Sequence, residues 1–372
     1  MHHRSAAAAC ALLTAAAATA AVPAAPPAEA APAPMAPSEA TDGSTPEPDA
    51  SSSVPEGTGE VFSIGDPRIS ESSGMAASAR HEGVVWTHND SGDHAPQLFA
   101  VDGNGDTVAT LTLGGEGVEL RDWEAVAVAR VGDGEPAVYV GDIGDNFQGG
   151  WPNIRVYRFT EPEALTDAAV TPEVFTFTYA DGGRDAEAMM VDPRDGRLYV
   201  VSKEVAGSLY AAPETLDPDG TNTLERVDSA PLYATDAAFS PDGSHYAIRT
   251  YWGVTFYDAS DGVPGKSVGR VGLPESEQGE SLTYTPDGTS VLVGTEGVES
   301  PVWEVPIPDH MRGEDGGDGE GGGDEHSPSG EPSPEPDAAA ETTGPGALTF
   351  ILTGAGVAAA VIAGIVLLVR KA

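Results

Sequence analysis

A chain of 372 residues with 59 acidic and 18 basic side chains has a formal net charge of −41. Such a balance argues against a nucleic-acid binder, because phosphates call for basic patches. It fits solubility and salt tolerance, or clustered carboxylates that hold divalent cations or cationic partners. The one cysteine, Cys10, falls in a leader segment, so the mature protein is expected to have no disulfide.

Residues 1–30 read as a secretory signal peptide. Arg4 gives the positive start, Ala6 to Val22 the apolar core, and Ala28-Glu29-Ala30 a small-x-small cleavage site. Cys10 does not make it a lipoprotein leader, since no apolar core precedes it and Ala7 stands where a Leu is wanted. Residues 31–59 are Pro, Ala, Ser, Thr and acid. With so little to bury they cannot offset their ordering entropy, and they read as a disordered linker.

From 60 to 308 the texture changes to short alternating apolar runs separated by turns. Pro193-Arg194-Asp195-Gly196, Pro241-Asp242-Gly243 and Pro286-Asp287-Gly288 suit tight connections between antiparallel strands, with Pro fixing φ and Gly accepting positive φ. Arg121-Asp122-Trp123-Glu124-Ala125 recurs as Arg184-Asp185-Ala186-Glu187-Ala188, and each copy opens a buried strand. Aligning on the residue that opens each inner strand gives units starting at Glu71, Glu124, Glu187, Asp236 and Glu280. Each has room for four short strands. In the first these are Gly74–Ser78, Val84–His88, Gln97–Val101 and Thr107–Leu113. The last unit is one strand short, and Val61-Phe62-Ser63-Ile64 can supply it. The expected fold is all-β: a β-propeller of five four-stranded blades closed by an N-terminal strand, with six blades as the alternative.

Residues 309–346 form an acidic Gly/Ser/Pro stalk. Residues 347–369 are a continuous apolar run that spans roughly 30 Å of hydrocarbon as a helix. Arg370-Lys371 after it places residues 370–372 in the cytoplasm and the propeller outside, anchored by a single transmembrane helix.

In a propeller the start of each inner strand and the loop after the second strand share a face. Glu71, Glu124, Glu187, Asp236 and Glu280 would then ring one mouth of the channel. Asp90 and Asp93, in Asn89-Asp90-Ser91-Gly92-Asp93-His94, and Asp142 and Asp145, in Asp142-Ile143-Gly144-Asp145, would add carboxylates there. Converging carboxylates repel unless a cation separates them. An oxygen-only set suits calcium, which accepts six to eight oxygens in flexible geometry, better than zinc. The competing reading is that each acid accepts backbone N–H groups of the next blade and latches the ring.

Arg68, Arg121 and Arg184 each precede their unit's Glu by three residues. They pair with carboxylates between blades, or with Lys203 they hold an anionic group of a ligand against the metal. His88 and His94 are candidates for acid, base or ligand. Trp86, Trp123 and Trp252 serve blade packing or stack on a ligand. The folded segment has no Gly-x-Ser-x-Gly elbow and no P-loop.

Phe239-Ser240-Pro241-Asp242-Gly243 and Tyr284-Thr285-Pro286-Asp287-Gly288 resemble the Ser-Pro-Asp-Gly turn of WD40-like propeller repeats. The whole chain resembles the stalk-anchored secreted propellers of high-GC Gram-positive bacteria. The Glu-Ala strand opening is also similar to five-bladed calcium-dependent nucleotidases, and more loosely to phytase-type esterase-like propellers. That similarity implies that Glu71, Glu124, Glu187, Asp236 and Glu280 form a central metal ring. The leading expectation is a cell-surface propeller that binds an extracytoplasmic ligand or protein through a calcium-loaded acidic face. The alternatives are a calcium-dependent phosphoester hydrolase, or a scaffold without metal.

Overall fold

The computed structural model describes residues 53–312, apart from residues 93, 132, 148 and 277. The expected signal peptide, the apolar segment 347–369 and the cytoplasmic tail lie outside the described residues, as does most of the stalk. Among the described residues no helix is long and apolar enough to cross a membrane.

The chain folds into strands with one short 3-10 turn at Asp309–Met311. After β1 (Gly59–Ser63) come β2 (Ser72–Ala77), β3 (Val85–Asn89), β4 (Gln97–Val101) and β5 (Thr107–Leu113). The next group is β6 (Trp123–Ala129), β7 (Ala137–Asp142), β8 (Ile154–Thr160), β9 (Ala168–Val170) and β10 (Glu173–Tyr179). Then follow β11 (Ala186–Val191), β12 (Leu198–Ser202), β13 (Ser208–Ala211) and β14 (Thr221–Ser229). The chain continues with β15 (Ala234–Phe239), β16 (His245–Thr250), β17 (Gly253–Asp258) and β18 (Lys266–Gly272). Last are β19 (Gly279–Tyr284), β20 (Ser290–Thr295) and β21 (Pro301–Pro306).

Antiparallel meanders make up the sheets, in a propeller-like arrangement: β2-β3-β4-β5, β6-β7-β8-β10, β11-β12-β13-β14, β15-β16-β17-β18 and β19-β20-β21-β1. The N-terminal strand β1 pairs with β21, from Gly59 opposite Glu304 to Ser63 opposite Pro301. Two parallel pairings were not legible from alternation. The short β9, a detour between β8 and β10, adds to β5, and β10 pairs with β14 and merges two meanders into one hydrogen-bonded sheet.

The strands β2, β6, β11, β15 and β19 lie side by side in succession, and β19 returns to β2. Small residues permit this. A Cβ on Gly74 of β2 would stand 2.8 Å from the Val126 nitrogen and 3.0 Å from the Ala125 Cα of β6. Apolar clusters fill the spaces between neighbouring sheets. One holds Trp86, Leu98, Trp123, Val140 and Tyr157, all fully or nearly fully buried. Burying a large apolar side chain contributes about 1.5–3 kcal/mol.

The Asp-Gly turns satisfy themselves. Asp242 accepts from the Ser240 hydroxyl at 2.6 Å and the Ser244 N–H at 3.0 Å, with Gly243 at φ 73°. Asp287 does the same with Thr285 and Thr289. Ser53 to Thr58, assigned by composition to the linker, have a defined path: the Ser53 carbonyl accepts the Gly272 N–H at 3.2 Å. A backbone acceptor there needs no apolar side chain, so composition could not reveal it.

Candidate functional site

Backbone hydrogen bonds fix how the units correspond. The N–H of Asp90 donates to the Glu71 carbonyl, Gly144 to Asp122, Lys203 to Asp185, and Glu296 to Gln278. Glu71, Asp122, Asp185 and Gln278 are therefore equivalent, each just outside its inner strand. Two residues on, the equivalent positions are Ser73, Glu124, Glu187 and Glu280. A register shift follows the first pair of each inner strand, between Ser72 and Met75, Trp123 and Ala125, Ala186 and Ala188, Ala234 and Asp236, and Gly279 and Leu282. By that criterion Thr235, rather than Asp236, matches Glu124.

The expected ring of five equivalent acids is thus corrected. Glu71 lies two residues early, and its carboxylate, 45% exposed, pairs with His94 at 3.0 Å. Asp236 lies one residue late and is fully buried. Its Oδ2 accepts the Leu282 N–H of β19 at 2.6 Å and its Oδ1 the Ala237 N–H at 2.8 Å. That is the latch role.

The loop acids separate as well. Asp142 matches Asn89 instead of Asp90. Its Oδ1 accepts the Asp122 N–H at 2.8 Å, as the Asn89 Oδ1 accepts the Ser70 and Glu71 N–H groups. Asp145 is spent on its own loop, accepting from Phe147 at 2.9 Å and Trp151 at 2.7 Å. Asp93 lies outside the described residues.

What the fold does bring together is Asp90, Asp122 and Glu124, with one carboxylate oxygen from each within 4.8 Å of the others. Two oxygens on one calcium can lie at most twice the bond length apart, roughly 4.6–5.2 Å, so this spread fits a single ion. Asp122 was missing from the sequence candidates, although it stands inside the duplicated Arg-Asp-x-Glu-Ala stretch. Gly144 leaves the space: a Cβ there would stand 2.7 Å from both Asp122 Oδ2 and Glu124 Oε1. Ser73 donates to Glu124 Oε2 at 2.9 Å, and the Asn146 amide to Asp122 Oδ2 at 3.2 Å. Burial, then the neighbouring Asp90 carboxylate, pushes the Asp122 carboxyl up to about 6. Burial, with Glu187, Asp90 and Asp122 nearby, holds Glu124 well above the usual range. No Lys or Arg hydrogen-bonds to any of the three among the described residues.

The rest of the mouth carries its own cations. Lys203, at the position of Gly144, binds Glu187 and lies 5.2 Å from the Tyr251 ring centroid. Burial would lower the Lys203 ammonium, but the Glu187 and Glu280 carboxylates outweigh it and keep it charged. Arg249, fully buried, donates to the Ser281 and Gly294 carbonyls. Burial lowers it to about 10, against the pull of Glu280 and Asp236. Glu187 Oε2 and Glu280 Oε2 have no hydrogen-bond partner among the described residues.

The arginines expected to hold a ligand are engaged within the protein. Arg68 forks onto Asp66 at 2.6 Å and lies over Phe99. Arg121 donates to the Asn153 carbonyl at 2.8 Å and lies over Trp151. Arg184 binds the Tyr210 hydroxyl, Asp181 and Glu204. Three residues before the glutamate, the chain has not yet entered the inner strand, so these side chains project along their own sheets. His88 is fully buried, its Nε2 has no hydrogen-bond partner among the described residues, and burial keeps the imidazole neutral. Trp86 donates to Glu161 at 2.8 Å and Trp123 is in the core, whereas Trp252 is 56% exposed.

No protein-family profile matches the chain, and no curated protein does. Among solved structures it is similar to a gluconolactonase from Xanthomonas campestris, at 15% identity over 71% of this chain and 99% of that one, with a TM-score of 0.39. It is also similar to the Myceliophteria thermophila Cps50 (Swd1) β-propeller domain, at 12% identity over 67% and 99%, TM-score 0.38. A third is U3-55K, at 13% identity over 63% and 68%, TM-score 0.35.

Proposed function

We propose that this protein is a five-bladed propeller that binds one calcium ion through Asp90, Asp122 and Glu124 and presents that face to an extracytoplasmic ligand or protein. The observation that carries this reading is the asymmetry of the mouth. Glu187, Glu280 and Asp236 have Lys203 and Arg249 near them, whereas among the described residues no Lys or Arg hydrogen-bonds to Asp90, Asp122 or Glu124. Carboxylates packed this closely favour either protons or a divalent ion, and at neutral pH the ion is the stronger competitor. Ser73 and Asn146 donate to Glu124 and Asp122 and so hold two of the three carboxylates in place. The export leader and the apolar segment 347–369 support placing the face outside the cell on a membrane anchor. Binding is favoured over phosphoester hydrolysis because Arg68, Arg121 and Arg184 are each committed to partners in their own sheets.

Thermal unfolding with calcium and with EDTA tests the reading. An ion at about one hundred times its dissociation constant stabilises by ~2.7 kcal/mol, a shift that Glu124→Gln should remove. Equal melting temperatures with calcium and EDTA would refute the metal. Turnover of a phosphoester panel that is lost in Glu124→Gln would move the assignment to the hydrolase.

A further inference from the structure

The channel end opposite the carboxylates holds a cavity that the calcium reading does not use. Its volume is about 530 Å³, within the roughly 300–1,000 Å³ of small-molecule sites. The C-terminal halves of all five inner strands, β2, β6, β11, β15 and β19, wall it together with the turns that follow them. Glu124 and its neighbours stand at the other end of the same strands. Seven of the lining residues are alanine, and these short side chains leave the space open. Met75, Met190 and Phe239 supply most of the larger apolar surface, and the methionines can adjust to an occupant.

Charge is unevenly placed around this mouth. Arg130, just after β6, donates to two main-chain carbonyls, Gly134 at 3.3 Å in its own hairpin and Ala79 at 3.2 Å just after β2. Those bonds fix the guanidinium between the first two sheets and use two of its five N–H donors. No carboxylate pairs with it among the described residues. Arg194, also in the lining, is neutralised by Asp192 at 2.6 Å and donates to the Ala259 carbonyl. The one acid in the lining, Asp242, lies on the far side, after β15. It is engaged by its own hairpin, accepting the Ser240 and Ser244 hydroxyls at 2.6 and 2.8 Å.

We propose that this cavity binds a small organic monocarboxylate, its apolar body among the alanines and methionines and its carboxylate on Arg130. A guanidinium with open donors at an apolar rim selects a carboxylate over a neutral or cationic group. The apolar wall excludes a highly charged ligand, because charge buried there would go unpaired. Asp242 across the mouth repels a second negative group, which limits the ligand to one. The site is separate from Asp90, Asp122 and Glu124 and needs no ion there.

The test is titration of the full chain with octanoate and, in parallel, benzoate, followed by NMR of isotope-labelled methionine methyl groups. Met75 and Met190 line the cavity, whereas Met189 packs into a cluster between sheets and Met311 belongs to the 3-10 turn. Saturable shifts are expected at Met75 and Met190, with Met189 and Met311 unmoved. Arg130→Ala should weaken octanoate about tenfold, and Arg130→Lys should restore part of the loss. Octanol, of the same chain length without the charge, should bind the native protein and Arg130→Ala equally weakly. Equal octanoate affinity in a folded Arg130→Ala protein would overturn the proposal, as would octanol binding as tightly as octanoate. Binding that leaves Met75 and Met190 unmoved, or no saturable binding of either acid, would overturn it too. The affinity should be the same in EDTA and in Glu124→Gln, so the proposal stands even if the calcium reading fails. Binding lost in EDTA would put the carboxylate on the metal instead and overturn it.

Discussion

Gly144→Ala is the sharpest perturbation of the carboxylate cluster, because it adds one methyl group and no charge. No positive φ is needed at Gly144, so alanine fits the backbone. The new Cβ would stand 2.7 Å from Asp122 Oδ2 and from Glu124 Oε1. Ordinary contact between such atoms begins near ~3.4 Å, so both carboxylates must retreat by about 0.5 Å or more. Calcium–oxygen bonds lie within roughly 2.3–2.6 Å, and two ligands displaced by that amount leave bonding range together. Overpacking of this kind costs the fold about 1–3 kcal/mol, which a domain of this size survives. The predicted loss in calcium affinity is about one hundredfold, some 2.7 kcal/mol. Calcium titration of the variant, with circular dichroism to confirm folding, measures it. Unchanged affinity in a folded Gly144→Ala protein would refute the idea that these carboxylates share one ion.

Further predictions concern pH and the buried pairs. The Asp122 carboxyl stands at about 6 in the folded protein against an ordinary 3.8, and Glu296 at about 7 against 4.5. A carboxyl raised by folding stabilises the fold below its unfolded value, and that contribution is lost as pH rises through the folded value. Without calcium, stability should therefore fall between about pH 4 and pH 8. Asp122 alone would give ~3 kcal/mol if fully enclosed, and screening by the solvent-facing side of the mouth reduces this to about 1–2 kcal/mol. Thermal melts in EDTA across that range check the sign, and calcium should stabilise more at about pH 8 than at about pH 5. Glu161→Ala should cost about 2–4 kcal/mol in urea unfolding, because the buried carboxylate accepts from Ser78 at 2.5 Å, Trp86 at 2.8 Å and the Ala79 N–H at 3.2 Å. Arg68→Ala should cost under about 1 kcal/mol, as the Arg68 side chain is half exposed, and should leave calcium affinity unchanged.

The meanders were legible because their strands alternate and their Asp-Gly turns are self-contained. Val61 to Ile64 was readable as a closing strand because the last unit lacks an outer one. The parallel pairings of β9 and β10 were not, since β9 is Ala-Ala-Val with exposed edges and carries no alternation. At the site, Glu124 and Asp90 were visible, but the register was not. Each inner strand takes an extra residue just after its first pair, which breaks the two-residue count at the acids themselves. Ser72-Ser73 then drew the alignment back to Glu71, and Thr235 drew it forward to Asp236. Asp122 and Asp185 lay in plain view in the repeated stretch. Which of them is open could not be read from it: Asp185 accepts the Asp145 N–H at 2.8 Å from the preceding unit's loop, a contact between units that no local pattern encodes. The placement of Lys203 opposite Gly144 likewise emerges only from the hydrogen bonds that align the two loops.

The most direct measurement of the central claim is calorimetric titration of the calcium-stripped full chain with calcium at neutral pH. One ion per chain is expected, with binding lost in Asp122→Asn and in Glu124→Gln and kept in Asp236→Asn if that variant folds. Absence of saturable binding, or binding that survives Asp122→Asn and Glu124→Gln together, would contradict it.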